Sequence, residues 1–212
     1  MRLKLLLFLC LVCCSGALAD SRVEAIFEKV KKVNPKLVDY SADIDIDLVV
    51  RVGFIPYRPD ANGKYYYKKP DQHKLELKKA PGYLKDYPSI FGWSLPSLEK
   101  YNSVVQQETE WRGQPVYYVV LLPKGSQGDI QRIEMWINRK DHTVPRQITY
   151  YSGNGKLEVQ GSYARHDGFL VFDKMQANFD FPKASVKAQA VADYTNYRFN
   201  LGLTDDFFKK EP

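Results

Sequence analysis

Cysteine is nearly absent from this sequence, and its few copies lie close together. Among 212 residues there are three cysteines, at Cys10, Cys13 and Cys14. If the start of the chain is removed as a secretion leader, no thiol remains. The remaining chain then has no disulfide bond, no thiolate nucleophile and no cysteine-ligated metal.

The beginning of the chain has the pattern of such a leader. Arg2 and Lys4 precede the apolar run Leu5–Val12, and the small-residue motif Ala17-Leu18-Ala19 follows. This order is typical of a signal peptide, and we predict cleavage after Ala19. Residues 1–19 are then the leader, and residues 20–212 form one domain.

An alternative for the leader is a lipid anchor. Leu11-Val12-Cys13-Cys14 resembles a bacterial lipobox, which would attach Cys14 to a membrane. A small residue is expected before the lipidated cysteine, and Cys13 stands there instead, which favours cleavage. No later stretch approaches the roughly 18 apolar residues of a transmembrane helix, so we expect a soluble chain.

Neither sign of charge is in large excess. The 31 Lys+Arg and 25 Asp+Glu residues give a formal charge of +6, and the leader accounts for two of these positive charges. Lysine pairs such as Lys31-Lys32 and Lys78-Lys79 are spread among acidic residues, which is typical of solvated faces. We therefore expect no nucleic-acid partner, while a weak attraction to anionic lipid headgroups stays open.

Nucleophilic and histidine-based chemistry are poorly supported. The segment Gly92-Trp93-Ser94-Leu95-Pro96 begins like a nucleophile elbow, but Pro96 takes the place of the second glycine. His73, His142 and His166 are the only histidines, and no two of them have the spacing of metal ligands. The sequence therefore indicates neither a serine nucleophile nor a histidine metal site.

The carboxylates do not form a complete motif either. Asp43-x-Asp45-x-Asp47 begins like a calcium loop, but Leu48 and Phe54 stand where glycine and glutamate are required. Its alternation with isoleucine predicts a strand with an acidic solvent face. Glu108 and Glu110 share a strand face. They are either ordinary exposed acids or the carboxylate pair of a glycosidase. We predict no enzyme, no metal and no cofactor.

What the sequence does contain is one helix followed by many strands. Ser21-x-x-Glu24 is a capping box, an apolar stripe follows from Val23 to Val33, and Asn34-Pro35 ends the helix. Beyond it the apolar period changes to two. The predicted strands are Ser41–Val52, Gly63–Lys69, His73–Lys79, Ser103–Trp111, Pro115–Leu122, Asp129–Asn138, Arg146–Ser152, Lys156–Arg165, Phe169–Phe172, Lys174–Phe181 and Ser185–Phe199.

Short turns rich in Gly, Asn and Asp separate these strands, which predicts antiparallel neighbours. About ten twisted strands must curl, and a curled sheet has a concave face that the helix, side chains or a ligand must fill. The longest irregular segment is Ala80–Pro96, with a short helix expected near Ser97–Tyr101. The predicted fold is mainly β: a strongly curved antiparallel sheet with one amphipathic N-terminal helix.

The order of several loose motifs resembles the bacterial LolA family of outer-membrane lipoprotein carriers. The motifs are Tyr65–Pro70 running into Lys74–Leu77, Met135–Asn138, Pro145–Tyr150 with Gly155, and Tyr194–Leu203 with Phe207. The resemblance implies an unclosed antiparallel barrel, lidded by short helices, with an apolar cavity for acyl chains. It also implies a monomer in the periplasm, an inner-membrane release complex and an outer-membrane receptor.

Three positions depart from the family pattern. Ala80–Pro96 replaces an Asp-Gly-Lys turn with its aromatic strand, Lys69 replaces an arginine that contacts the lid, and His73 replaces an apolar residue at the cavity mouth. Lysine lacks the planar fork of arginine, so the resemblance implies a different lid closure here.

Strand parity proposes which side chains face the cavity, although each of them could equally pack a core. The candidates are Tyr65, Tyr67, Lys69, Leu75, Leu77, Tyr118, Val120, Met135, Ile137, Ile148, Tyr150, Leu157, Val159, Met175 and Phe179. Trp136 alternates with Met135 and is expected on the opposite face.

Two functions follow. The first is a periplasmic carrier that binds lipoprotein acyl chains, or another acyl lipid, and shuttles them towards the outer membrane. The alternative is an envelope sensor or protein-interaction module on the same fold, which binds lipid or a protein partner without transporting it.

Overall fold

The computed structural model describes residues 15–52, 55–78, 88–92, 94–125 and 128–209. The charged and apolar parts of the predicted leader, its three cysteines and Trp93 lie outside these ranges. Residues 80–87 of the irregular segment also lie outside them. Within these ranges, no helix is long and apolar enough to cross a bilayer.

The N-terminal helix, α1 (Ser15–Lys31), forms where the apolar stripe predicts it. Its stripe of Val23, Ile26, Phe27 and Val30 is buried, because this spacing places all four side chains on one face. The helix begins before Ser21, so Ser21 is not its N-cap as the capping box predicted. The preceding residues include alanine and leucine, which favour helix, and the helix therefore runs back through the predicted cleavage site.

Eleven strands follow the helix. They are β1 (Asp39–Val52), β2 (Ile55–Tyr57), β3 (Asp60–Lys68), β4 (Gln72–Leu77), β5 (Tyr101–Trp111), β6 (Gln114–Pro123), β7 (Ile130–Asn138), β8 (Arg146–Tyr151), β9 (Gly155–His166), β10 (Phe169–Phe181) and β11 (Val186–Phe199). Short 3-10 helices include Pro88–Phe91 and Leu98–Lys100; the second lies within the short helix predicted near Ser97–Tyr101.

Apart from shifts of a few residues at strand ends, the strands differ from the predicted ones at two places. Phe169–Phe172 and Lys174–Phe181 are one strand, β10, because a bulge absorbs the change of phase between Phe172 and Lys174. The short strand β2 was not predicted, since proline occupies its centre and three residues give no period.

The strands form one antiparallel sheet in the order β4-β3-β1-β11-β10-β9-β8-β7-β6-β5, with β2 paired to β1 beside this row. Strands β4 and β5 are its two ends and do not pair with each other. The prediction of an unclosed antiparallel sheet with one N-terminal helix is therefore confirmed. We call the face that carries α1 the concave face and the opposite one the outer face.

Candidate functional site

The concave face is filled by two separate apolar clusters. The western cluster, as we name it, lies on β1, β3, β4 and β9–β11 and includes Tyr40, Tyr65, Met175 and Phe91. In the second, which we name the helix cluster, Phe27 and the apolar stripe of α1 pack against buried side chains of β5–β7. Among the residues that the structure describes, no buried residue belongs to both clusters, so the concave face has a seam between them.

The smaller of two cavities along this seam encloses about 370 Å³. Val30 and Val144 of the helix cluster line one side, and residues of the western cluster line the other. The latter are Leu37, Tyr40, Val171 and Phe172, with the half-buried Tyr67 and Tyr163. The exposed lining residues Lys31, Pro70 and Asp71 mark the mouth of the cavity.

The larger cavity encloses about 850 Å³ and lies further along the same seam. Its apolar walls are Tyr101, Ile130 and Ile133 on the side of the helix cluster, with Leu157, Val159 and Phe179 opposite. Gln147 and Thr149 of β8 also line it, so this cavity has a polar part. Asp71 and Leu95 line both cavities, which therefore adjoin.

One wall of the larger cavity comes from residues 88–92 and 94–97, and Phe91 of this segment is buried in the western cluster. The Tyr194 hydroxyl donates a hydrogen bond to the Phe91 carbonyl at 2.6 Å. Gly92 lies against Tyr65 so closely that a Cβ there would stand 1.8 Å from the Tyr65 hydroxyl oxygen. The segment is thus fixed to the sheet, and only glycine fits at position 92.

A polar network beside this segment includes a serine, a histidine and an aspartate. The Tyr65 hydroxyl lies 2.5 Å from His73 Nδ1, and His73 Nε2 lies 2.9 Å from Asp71 Oδ1 and 3.1 Å from Ser94 Oγ. Ser94 also donates to Asp71. Serine and aspartate meet the same ring nitrogen, whereas a catalytic triad places them on opposite nitrogens. This geometry holds the segment in place and does not activate Ser94.

The acidic member of this network stays ionised. Burial would by itself raise the pKa of Asp71, but the hydrogen bonds from His73 and Ser94 hold that pKa below its ordinary range. An anionic carboxylate therefore lies at the point where the two cavities adjoin.

Lys69 connects the sheet to the loop that follows the helix. Its Nζ donates a hydrogen bond to the Asn34 carbonyl at 2.5 Å, and both residues line the smaller cavity. Partial burial lowers the pKa of the Lys69 ammonium. The Asn34 side-chain amide also donates a hydrogen bond to the Leu170 carbonyl and accepts one from the Leu170 amide. Three hydrogen bonds therefore fix Asn34 at the mouth of the cavity.

Five of the candidates predicted from parity line a cavity. Tyr67 and Lys69 line the smaller one, and Leu157, Val159 and Phe179 line the larger one. Six others are buried inside the clusters without lining either cavity. These are Tyr65, Leu75, Leu77 and Met175 in the western cluster, and Met135 and Ile137 in the helix cluster.

The remaining four candidates lie on the outer face, which corrects their inward assignment. Tyr118 and Val120 alternate with Val119 of the helix cluster, and Ile148 and Tyr150 alternate with residues that line the larger cavity. Trp136 shares their face, as expected, and its ring stacks on Tyr118 with centroids 4.9 Å apart. Parity gave the wrong face here because β6 and β8 carry apolar residues on the outer face, where Ile148 is itself buried.

Sequence reasoning missed the cavity residues that come from helices and loops. Val30 lies on the predicted apolar stripe of the helix, so the stripe gave a signal for it. Leu37, Leu95 and Val144 lie between regular elements, where periodicity carries no information. Gln147 and Thr149 were missed because they are polar.

The acidic candidates have ordinary partners. Glu108 pairs with Arg22 and with Arg139. The hydrogen bond from Lys64 holds the pKa of Asp43 below its usual value. In the part of the chain that the structure describes, no group of three or more His, Cys, Asp and Glu residues is placed to hold a metal.

The fold was compared with known proteins. No protein-family model matches the sequence, and no curated protein matches it significantly. Solved structures do match. A structure described as an outer membrane lipoprotein-sorting protein domain from Vibrio parahaemolyticus has a TM-score of 0.61 at 12% identity, covering 91% of this chain and 97% of that one.

Two further structures are similar over nearly the same extent. A DUF1329 family protein from Desulfovibrio piger has a TM-score of 0.59 at 15% identity. A LolA superfamily protein from Nitrosomonas europaea has a TM-score of 0.52 at 11% identity. Each match covers 88% of this chain and 97% of the other. The chain therefore has a LolA-like fold, as the sequence resemblance implied.

Proposed function

We propose that this protein is a periplasmic carrier that binds the acyl chains of lipoproteins, or of another lipid, along the seam between its two apolar clusters. The proposal includes cleavage of the leader after Ala19 and no enzymatic activity. It also includes a monomer that receives its cargo from an inner-membrane release complex and delivers it to an outer-membrane receptor.

The pair of adjoining cavities is the observation that carries this proposal. Both volumes lie within the range of about 300–1,000 Å³ that is usual for ligand pockets. Most of their walls are aliphatic and aromatic side chains that face each other across the seam. A mostly apolar space made of two adjoining cavities fits a hydrocarbon chain better than a compact polar metabolite.

The free energy of exposing an acyl chain to water explains why a carrier must shield it. Each methylene group removed from water is worth about 0.8 kcal/mol, so a chain of about sixteen carbons gains roughly 12 kcal/mol before ordering costs. A free acylated molecule would therefore rarely leave one membrane to reach another. A protein that provides an apolar seam lowers this barrier.

The similar structures support the lipid-binding part of the proposal at the level of the fold. One of them is described as a lipoprotein-sorting domain and another as a LolA superfamily protein. The contact of Lys69 with Asn34, at the edge of the smaller cavity, is where the resemblance implies that a lid would open.

A cavity-filling variant tests the proposal. Leu157→Trp places an indole in the larger cavity, and displacing even two methylenes of ligand weakens binding about tenfold. Val120→Trp is the matched control, because Val120 is half-buried on the outer face. Displacement of a fluorescent fatty-acid probe measures affinity, and thermal unfolding shows that both variants are folded.

We expect a loss of at least about tenfold for Leu157→Trp and an unchanged affinity for Val120→Trp. If the wild-type chain does not bind the probe, or if both variants bind it equally well, the seam is not a lipid site.

A further inference from the structure

Four large hydrophobic side chains are exposed in the part of the chain that the structure describes, and two of them lie together. Val38 is 54% exposed and Leu201 is 45% exposed, while Tyr57 and Leu122 are 55% and 48% exposed. Val38 and Leu201 lie at the end of the sheet where β1 begins and β11 ends. Tyr57 pairs with Val50 near the other end of β1.

The backbone beneath Val38 and Leu201 is held by buried groups. Asp39 is completely buried, and its carboxylate accepts hydrogen bonds from the amides of Leu201 at 2.6 Å and Leu203 at 2.9 Å. The Asn200 side chain accepts a bond from the Val38 amide and donates one to the Lys36 carbonyl. The two exposed side chains are therefore presented from a fixed backbone, although nothing in the described chain covers them.

This pair adjoins the mouth of the smaller cavity. Leu37 points into that cavity, while its neighbour Val38 points into solvent. The Val38 carbonyl accepts a hydrogen bond at 2.9 Å from the amide of Lys69, which also lines the cavity. A surface that binds Val38 and Leu201 would thus lie directly beside the opening.

Two lysines near the pair in sequence lack an ion-pair partner among the residues that the structure describes. They are Lys32 and Lys36, and both are exposed. The carboxylates in this region are already engaged. Asp39 is buried and accepts two amides, Glu28 is paired with Lys31, and Asp205 is paired with Lys68.

We propose that Val38, Leu201, Lys32 and Lys36 form a patch that docks onto a bilayer containing anionic lipid. Exposed apolar side chains insert at the level of the headgroups, and lysines beside them are attracted to the negative surface of the leaflet. Docking in this orientation brings the mouth of the smaller cavity to the membrane. The docking itself does not depend on the proposed function. Only the transfer of a lipid through that mouth rests on it.

Vesicle flotation tests the docking itself, with the secreted chain after removal of its leader, because an uncut leader would bind vesicles by itself. The vesicles are phosphatidylcholine, with or without about one-third phosphatidylglycerol. We expect binding to the anionic vesicles only. Removing two lysines in Lys32→Gln/Lys36→Gln should weaken it roughly 30-fold, since each lysine near such a surface contributes a factor of about five.

Variants of the exposed hydrophobic residues distinguish binding through the patch from non-specific hydrophobic binding. Val38→Ser/Leu201→Ser should lose binding to anionic vesicles, whereas Tyr57→Ser/Leu122→Ser, which alters equally exposed side chains elsewhere, should keep it. Equal loss in both double variants, or equal binding of the wild-type chain to both vesicle types, overturns the proposal. No vesicle binding at all also overturns it and leaves the patch to a protein partner.

The lipid-binding proposal and the docking proposal can be disproved separately. Leu157→Trp should lose the fatty-acid probe and still float with vesicles. Val38→Ser/Leu201→Ser should keep its equilibrium affinity for the probe and take it up more slowly from anionic vesicles. Unchanged uptake in that variant, despite lost flotation, contradicts the placement of the docking surface beside the cavity mouth.

Discussion

The two faces of strands β6–β9 carry similar apolar side chains but are covered in different ways. On the concave face, Val119 and Met135 are fully buried beneath α1. On the outer face, Trp136 lies beneath the guanidinium of Arg146, 4.3 Å from its ring, and Tyr150 lies beneath that of Arg132 at the same distance. A layer of protein covers one face and long charged side chains cover the other.

The outer cover is a network of ion pairs. Arg146 and Lys156 both contact Glu158, with nitrogen–oxygen distances of 2.8 and 2.9 Å, and Arg132 contacts Glu134 at 3.0 Å. The stems of such side chains shield apolar surface while their charged ends stay near water. Hydrophobic content alone therefore does not show which face of this sheet is the interior.

The same charge placed at two neighbouring positions of β6 should have very different effects on the two faces. Val119→Lys buries an ammonium beneath the helix, which costs several kcal/mol out of a total stability of about 5–15 kcal/mol. Val120→Lys places the ammonium on the outer face opposite Glu134. We expect Val119→Lys to unfold or nearly unfold the chain and Val120→Lys to change stability by less than about 1 kcal/mol.

Urea unfolding followed by circular dichroism measures both values. Similar losses at the two positions would show that the outer face is as deeply covered as the concave one.

Most of the fold was predictable because its signals are local. The alternation of Asp43, Asp45 and Asp47 with isoleucine gave the phase of β1, where only one face is apolar. The helix stripe and the glycine-rich turns gave the element order and the antiparallel pairing. These signals depend on neighbours in sequence, which a single chain displays directly.

The cavity was less predictable because it depends on which face is covered. On β8 the larger cavity is lined by Gln147 and Thr149, while Ile148, which is buried, and Tyr150 point to the outer face. Apolar alternation therefore gives the opposite phase. What covers Ile148 and Tyr150 comes from other strands, and their distance in sequence hides it. Phe91 was likewise hidden, since it enters the western cluster from an irregular segment.

A smaller effect tests whether the arginine cover contributes stability. A double-mutant cycle of Arg146→Gln and Trp136→Leu isolates the contact between guanidinium and indole, which we expect to be worth about 0.5–1 kcal/mol. The pair of Arg112 and Trp111, at 4.4 Å, is the matched control, because Arg112 is exposed. A coupling at Arg146 that is smaller than the one at Arg112 would contradict a covering role.

The smallest effect is a pH dependence that arises from Glu158 on the outer face. Burial would raise the pKa of Glu158, but hydrogen bonds from Lys156 and Arg146 bring it below the ordinary value of 4.5. The folded chain thus binds this proton more weakly than the unfolded chain. The carboxylate's stabilisation is fully present above about pH 4.5 and is lost as the pH falls through the lowered folded-state pKa.

Glu158→Gln should therefore be less stable than the wild-type chain at neutral pH, with a difference that shrinks as the pH falls below 4.5. Gln147→Leu, on the concave face of the neighbouring strand, replaces a group that does not ionise, so its difference from the wild-type chain should stay constant over the same range. Urea unfolding at a series of pH values measures both. Parallel curves for the two variants would show that the ion pairs of Glu158 do not contribute to the charged cover of the outer face.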